Sequence, residues 1–210
     1  MTLARPLRST AVALLAGCVG ALAAVGATPA FAAHARGHRG GAAVYAACQN
    51  TALQPTAQNL ALIRSATLCL INRERRRAGE RPLRPNRRLR RAAQAHTENM
   101  AFGNYFEHVG PGGSSRSGGG TPLARLRAVG YISSKRVGYE VGENIAWGTL
   151  RLATPRAIVA AWMASPPHRA NILDGRYRET GIGVSPHPPA SLAHGQAGAI
   201  YTQDFGVIID

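Results

Sequence analysis

The chain has 210 residues, with 25 Lys and Arg against 10 Asp and Glu, a net charge of +15 and a pI near 11.3. Its length admits one ordinary domain with short extras, and 45% hydrophobic with 17% charged residues excludes wholesale disorder. The charge invites a phosphate-bearing partner. Yet Lys135 is the single lysine in a chain rich in Ala and Gly, so codon bias accounts for the arginine excess as well as selection for guanidinium chemistry does.

Arg5 and Arg8 precede an apolar run from Ala11 to Ala27, followed by Ala30-Phe31-Ala32. A basic start, an apolar middle and an A-x-A site predict a signal peptide over residues 1–32 and hence a secreted protein. Leu15-Ala16-Gly17-Cys18 also matches a lipobox, leaving a lipoprotein anchored at Cys18 as the alternative. The run is short and rich in small residues for a membrane span, so no stable transmembrane anchor is expected. Export makes Cys48 and Cys69 the cysteines of the mature chain. In an oxidising compartment they predict one disulfide, with two free thiols as the alternative. Residues 33–47 read as a mobile Gly-, Ala- and His-rich tail, leaving 48–210 as the folded domain.

Residues 57–78 predict a helix, with Leu60, Ile63, Thr67, Leu70 and Ile71 on one face and Gly79 as its stop. Asn86 predicts the cap of a second helix through about Phe102. Its inward stripe is Leu89, Ala93, His96 and Met100, which makes His96 a hydrogen-bonded core histidine. A flexible glycine-serine loop follows from Val109 to Gly120. Thr121-Pro122, Thr154-Pro155 and Ser165-Pro166-Pro167 predict three further helix starts, with Ser165 as an N-cap. Trp147 and Trp162 read as core. Strands are predicted over Tyr139–Trp147, Gly181–Ser185 and Ala199–Ile209, the last two as a hairpin. Helices first, strands last and no βαβ alternation give an α+β fold with an antiparallel sheet.

Four segments carry a family resemblance. They are His96-Thr-Glu-Asn-Met-Ala with Phe106-Glu-His108; Gly142-Glu143-Asn144-Ile145-Ala146-Trp147; Trp162-Met-x-Ser165-Pro-x-His168-Arg169-x-Asn171-Ile172-Leu173; and Tyr201-Thr202-Gln203-x-Phe205-Gly206. Together they resemble the CAP superfamily of cysteine-rich secretory proteins, antigen 5 and plant pathogenesis-related proteins, in particular its bacterial SCP-like extracellular branch, from about Thr67 to Ile208. The resemblance implies an α-β-α sandwich with a small antiparallel sheet between helical layers. It also implies a cleft of two His and two Glu, which holds a divalent cation in several members. His108 matches the first histidine and Glu143 the first glutamate. The second glutamate's place is Ser165 and the second histidine's is Ile200, so two of the four are absent. The bacterial S-P-x-H-R segment supplies His168 instead.

His108, Glu143 and His168 are the right types for zinc or another divalent cation, which takes imidazole and carboxylate ligands and can activate a water. The alternative is a hydrogen-bonded polar cluster that orders the fold. Glu179 is a second carboxylate candidate for the cleft, with pairing to Arg169 or Arg178 as the other reading. Gln203 and Asp204 are neighbours on a strand, so one of them faces the cleft; Gln203 lies in the matched segment. Two functions follow: a non-catalytic binding module for a cation or small apolar ligand, or a cation-dependent hydrolase of peptide, ester or wall substrates. Gly-x-Ser-x-Gly does not occur.

Ten arginines between Arg73 and Arg91 face two acids, Glu74 and Glu80. They are expected to splay over a surface corner and to meet an anionic cell-envelope polymer or lipid, or merely to solubilise. No aromatic residues interleave with them as stacking platforms, so nucleic acid is not expected.

Overall fold

Asn86 shows how local chemistry sets the frame. Its extended backbone lets the side-chain oxygen accept from the N–H groups of Arg88 (2.8 Å) and Leu89 (3.2 Å), fixing the start of a helix; such a cap contributes about 1 kcal/mol. Thr121 and Thr154 do the same for Ala124 and Ala157, each followed by a proline that needs no donor. The computed structural model describes residues 47–112, 114–134 and 138–209. The expected leader 1–32 with Cys18, and tail residues 33–46, lie outside the described residues.

In chain order the elements are α1 (Leu60–Arg77), β1 (Arg84–Pro85), α2 (Arg87–Gly103), α3 (Pro122–Ala128), β2 (Gly138–Thr149), α4 (Pro155–Ala164), α5 (Pro166–Leu173), β3 (Glu179–Ser185), α6 (Ala190–Ala193) and β4 (Gly198–Ile209). The sheet order is β1-β3-β4-β2. β4 runs antiparallel to both neighbours, with Glu143 opposite Asp204 and Thr180 opposite Phe205. The two-residue β1 pairs parallel with β3, an addition to the expected antiparallel sheet. The β3–β4 hairpin forms as expected.

α2 and α3 cover one face of the sheet, and α1, α4 and α5 cover the other. The larger core lies on the second face, where Ile63, Leu70 and Ile71 of α1 meet Ile158 and Trp162 of α4 and Ile182, Tyr201 and Phe205 of the sheet. This is the α-β-α sandwich. On the first face α2 lies directly on the β3 backbone. A Cβ at Gly181 would fall 2.0 Å from the Arg90 nitrogen, and one at Gly183 2.4 Å from the Ala93 carbonyl carbon, so neither position accepts a side chain.

Cys48 and Cys69 are bonded, with Cα atoms 5.7 Å apart and 21 residues of separation. Closing a loop of that length stabilises by about 3 kcal/mol in the chain-entropy model. Among the described residues, no helix is long and apolar enough to cross a membrane.

Candidate functional site

Glu143 projects from β2 toward α2 and is only 1% exposed at its side chain. A bare carboxylate there would be costly, and three neighbours offset that cost. His108 Nδ1 donates to Oε1 at 2.8 Å, Arg125 Nη2 donates to Oε2 at 2.6 Å, and His96 Nε2 lies 3.9 Å from Oε1. Burial pushes the Glu143 pKa up, but Arg125, the His108 hydrogen bond and the two imidazoles outweigh it and hold the group at about 2. Asp204 sits opposite it in register, fully buried, with neither carboxylate oxygen paired. Burial and the Glu143 charge push the Asp204 pKa well above its ordinary value.

The same side chains grip the 107–120 loop. Arg125, wholly buried in α3, donates through Nη1 to Gly120 O (2.5 Å) and through Nη2 to His108 O (3.0 Å). The ring nitrogens of His96 each stand 3.0 Å from a carbonyl, Gly118 O and Glu107 O. Gly110 and Gly120 exchange two backbone hydrogen bonds across the loop's neck. The loop expected to be flexible is therefore latched at both ends through groups that converge on Glu143. His96 is the hydrogen-bonded core histidine that helical periodicity indicates. Burial lowers its pKa, against the pull of Glu143, so the neutral ring donates to one carbonyl and faces the other.

His168 makes no hydrogen bond to this cluster. Its Nδ1 lies 2.8 Å from Ser165 Oγ, and its backbone carbonyl accepts from Asn144 Nδ2 at 3.1 Å. Burial, and then the charge of nearby His108, lower its pKa. Ser165 occupies the N-cap position of α5, but its hydroxyl makes no capping bond. Asn171 Nδ2 reaches both Asn144 Oδ1 (2.9 Å) and Glu143 O (3.3 Å), so the two asparagines tie α5 to β2.

Glu179 and Gln203 lie away from Glu143. Glu179 accepts from Asn86 Nδ2 and the Tyr131 hydroxyl, both at 2.9 Å, and bonds neither Arg169 nor Arg178. That corrects both readings of Glu179: its carboxylate secures the start of α2. Gln203 donates to Thr180 Oγ1 at 3.2 Å on the sheet's other face, among Tyr201 and Phe205. Strand alternation then gives Asp204, not Gln203, to the Glu143 cluster.

His108, Glu143 and His168 therefore fit a divalent cation poorly. Among the described residues, no three His, Cys, Asp or Glu side chains are grouped to hold one. Both Glu143 oxygens are engaged, one by His108 and the other by the Arg125 cation. His108 and His168 each keep Nε2, which supplies two nitrogen donors but no carboxylate oxygen. Arg125 went unnoticed in the sequence. Its signal was legible, because Pro122, Arg125, Leu126 and Val129 follow the helical period of an apolar stripe.

The surface offers a second candidate. Arg77, Arg81, Arg84, Arg87, Arg88, Arg90 and Arg91 are exposed, and Arg73 and Arg76 are half-buried. Arg75 is the exception to the expected surface corner. It is buried, donating to the carbonyls of Arg81 (2.8 Å), Ile172 (2.6 Å) and Asp174 (2.9 Å), and so stitches α1 to the end of α5.

A model of the cysteine-rich secretory protein family, CAP, matches residues 68–205. The chain belongs to the CAP family. The CAP domain is 35% identical over 136 residues to an uncharacterized protein, YkwD, of Bacillus subtilis, covering 65% of this chain and 44% of that relative. It therefore spans less than half the length of that relative. An extracellular SCP-domain protein from Bacillus anthracis superposes with a TM-score of 0.52 at 26% identity, over 72% of this chain and 43% of that one. An outer surface protein of Borrelia burgdorferi shares the fold with a TM-score of 0.51 at 16% identity, covering 72% of this chain and 94% of its own.

Proposed function

We propose that this CAP domain is a secreted, non-catalytic binding module that attaches to anionic polymers or lipids of the cell envelope through the arginine-rich corner from Arg73 to Arg91. One observation carries the reading. Among the described residues, the exposed Arg84, Arg87, Arg88, Arg90 and Arg91 have no carboxylate within ion-pair distance, whereas Glu74 pairs with Arg73 and Arg77. A patch of uncompensated guanidinium groups is a site for phosphate or carboxylate partners. In this reading the His108–Glu143 cluster serves as the latch of the 107–120 loop and not as a cation centre.

The Ser165–His168 contact favours hydrolysis, since a neutral imidazole against a hydroxyl is the pairing of an activated nucleophile. Two features weigh against it. Ser165 is 7% exposed. Pro166 and Pro167 leave the first two positions of α5 without N–H groups to hold an oxyanion.

Co-sedimentation of the protein with vesicles tests the proposal. Binding to vesicles rich in phosphatidylglycerol, or to a glycerol-phosphate wall polymer, is expected to exceed binding to neutral phosphatidylcholine. It should also fall steeply between low and physiological salt. Equal binding to neutral vesicles, or no salt dependence, overturns it.

A further inference from the structure

The arginine corner is not uniformly flat. An open pocket of about 390 Å³ lies between α1 and the start of α2, floored by β3. α1 contributes Arg64 and Leu68, α2 contributes Arg87 and Arg90, and β3 contributes Ile182. The floor is mostly apolar, the rim carries three guanidinium groups, and no acidic residue lines it.

Resting on the envelope-binding reading above, we propose that this pocket is a specific site for a phosphate monoester carrying an alkyl chain. The phosphate would sit between Arg64, Arg87 and Arg90, with the chain against Leu68 and Ile182.

Among the described residues, the guanidinium groups of these three arginines have no hydrogen-bond or ion-pair partner. By contrast, buried Arg75 and Arg125 each take three or more acceptor contacts. Arg64 is half-buried, and desolvation together with the charge of Arg90 lowers its pKa. Arg64 and Arg90 repel one another, with Arg87 lining the same pocket, and a dianionic phosphate relieves that repulsion better than a single carboxylate. Arginine's planar fork can pair two donors with two phosphate oxygens. The helix end does not make the site, because Asn86 already takes the first amides of α2. The apolar floor separates this ligand from inorganic phosphate, which has nothing to place there. A nucleic acid would want aromatic platforms, and none lines the pocket.

Calorimetric titration of the full chain with hexyl phosphate, inorganic phosphate and hexanol tests the assignment, alongside vesicles containing phosphatidic acid. Hexyl phosphate should bind about tenfold or more tightly than inorganic phosphate, with hexanol giving no heat. Arg64→Gln should weaken hexyl phosphate binding by about tenfold, the scale of one lost charge-assisted contact. Ala61→Glu, which puts a carboxylate on the exposed pocket wall, should do the same. Arg151→Gln, outside both the pocket and the arginine corner, should leave it unchanged. Equal affinity for hexyl phosphate and inorganic phosphate overturns the proposal, as does equal loss in Arg64→Gln and Arg151→Gln. Vesicle binding that survives Arg64→Gln, with no hexyl phosphate binding, sinks the pocket and leaves the envelope reading standing. Hexyl phosphate binding without vesicle binding keeps the pocket and sinks that reading.

Discussion

Arg125 and Arg64 are the same residue type in opposite circumstances. Arg125 lies wholly inside the fold, facing Glu143 and two loop carbonyls. Arg64 lines an open pocket beside two other arginines and no acid. The family resemblance draws the eye to the histidines and glutamate around Arg125, but there every strong charge is compensated. Compensation marks a group whose work is to hold the fold. The uncompensated charges, where a partner is still wanted, are on the outside.

The comparison breaks most visibly if Arg125 is removed. Arg125→Leu strands a buried carboxylate and frees two loop carbonyls. It should cost about 3–5 kcal/mol, read as a lowered denaturation midpoint. Replacing Glu143 by leucine as well should recover part of that loss. A single variant as stable as the wild type would show that Glu143 needs no counter-charge. Zinc in molar excess should leave the wild-type melting temperature unchanged, since the Glu143 oxygens are taken.

The arginine corner holds its own internal contrast. Arg75→Met leaves three carbonyls without their donor and should cost about 2–4 kcal/mol. Arg88→Gln, exposed and unpaired, should change stability by no more than about 0.5 kcal/mol. Matching urea midpoints for the two variants would erase the distinction between stitched and free arginines.

Titration gives the finest test. Glu143 has a folded pKa below its unfolded value, so its contribution is complete above about 4.5 and lost as pH falls toward about 2. His96 and His168 are also depressed, so their contributions are present above the ordinary histidine value of 6.5 and lost as pH falls below it. Asp204 has the opposite sign: its folded pKa is raised, so its contribution is present below 3.8 and lost as pH rises through the folded value. Asp204→Asn removes the opposing group, so in that variant the melting temperature should decline from pH 7 to 5, and the substitution should raise stability at neutral pH relative to acid. A flat profile across that range would contradict burial of neutral histidines.

The helix starts were legible because their signals are local: Asn86, Thr121-Pro122 and Thr154-Pro155 each carry the donor-acceptor logic in adjacent residues. β1 was not, since Arg84-Pro85 becomes a strand only by meeting Glu179 and Thr180. Burial of Arg75 depends on carbonyls about a hundred residues away, which no local pattern records. For Gln203 and Asp204, alternation was plain, but its phase came from the pairing of β2 with β4. Ser165 shows the same limit: its N-cap position was readable, while its His168 partner was not.

The loop from Glu107 to Gly120 carries a consequence for how this domain can diversify. Its neck is closed by Arg125, His96 and the Gly110–Gly120 bridge, so the entropy of bringing its ends together is met by buried groups. Lengthening the tip twofold adds only about 0.6 kcal/mol to loop closure. Diversity there is bounded by one contact: a Cβ at Gly118 would fall 2.2 Å from the Ala95 carbonyl oxygen of α2, so the stretch that rests on the helix must keep its glycine.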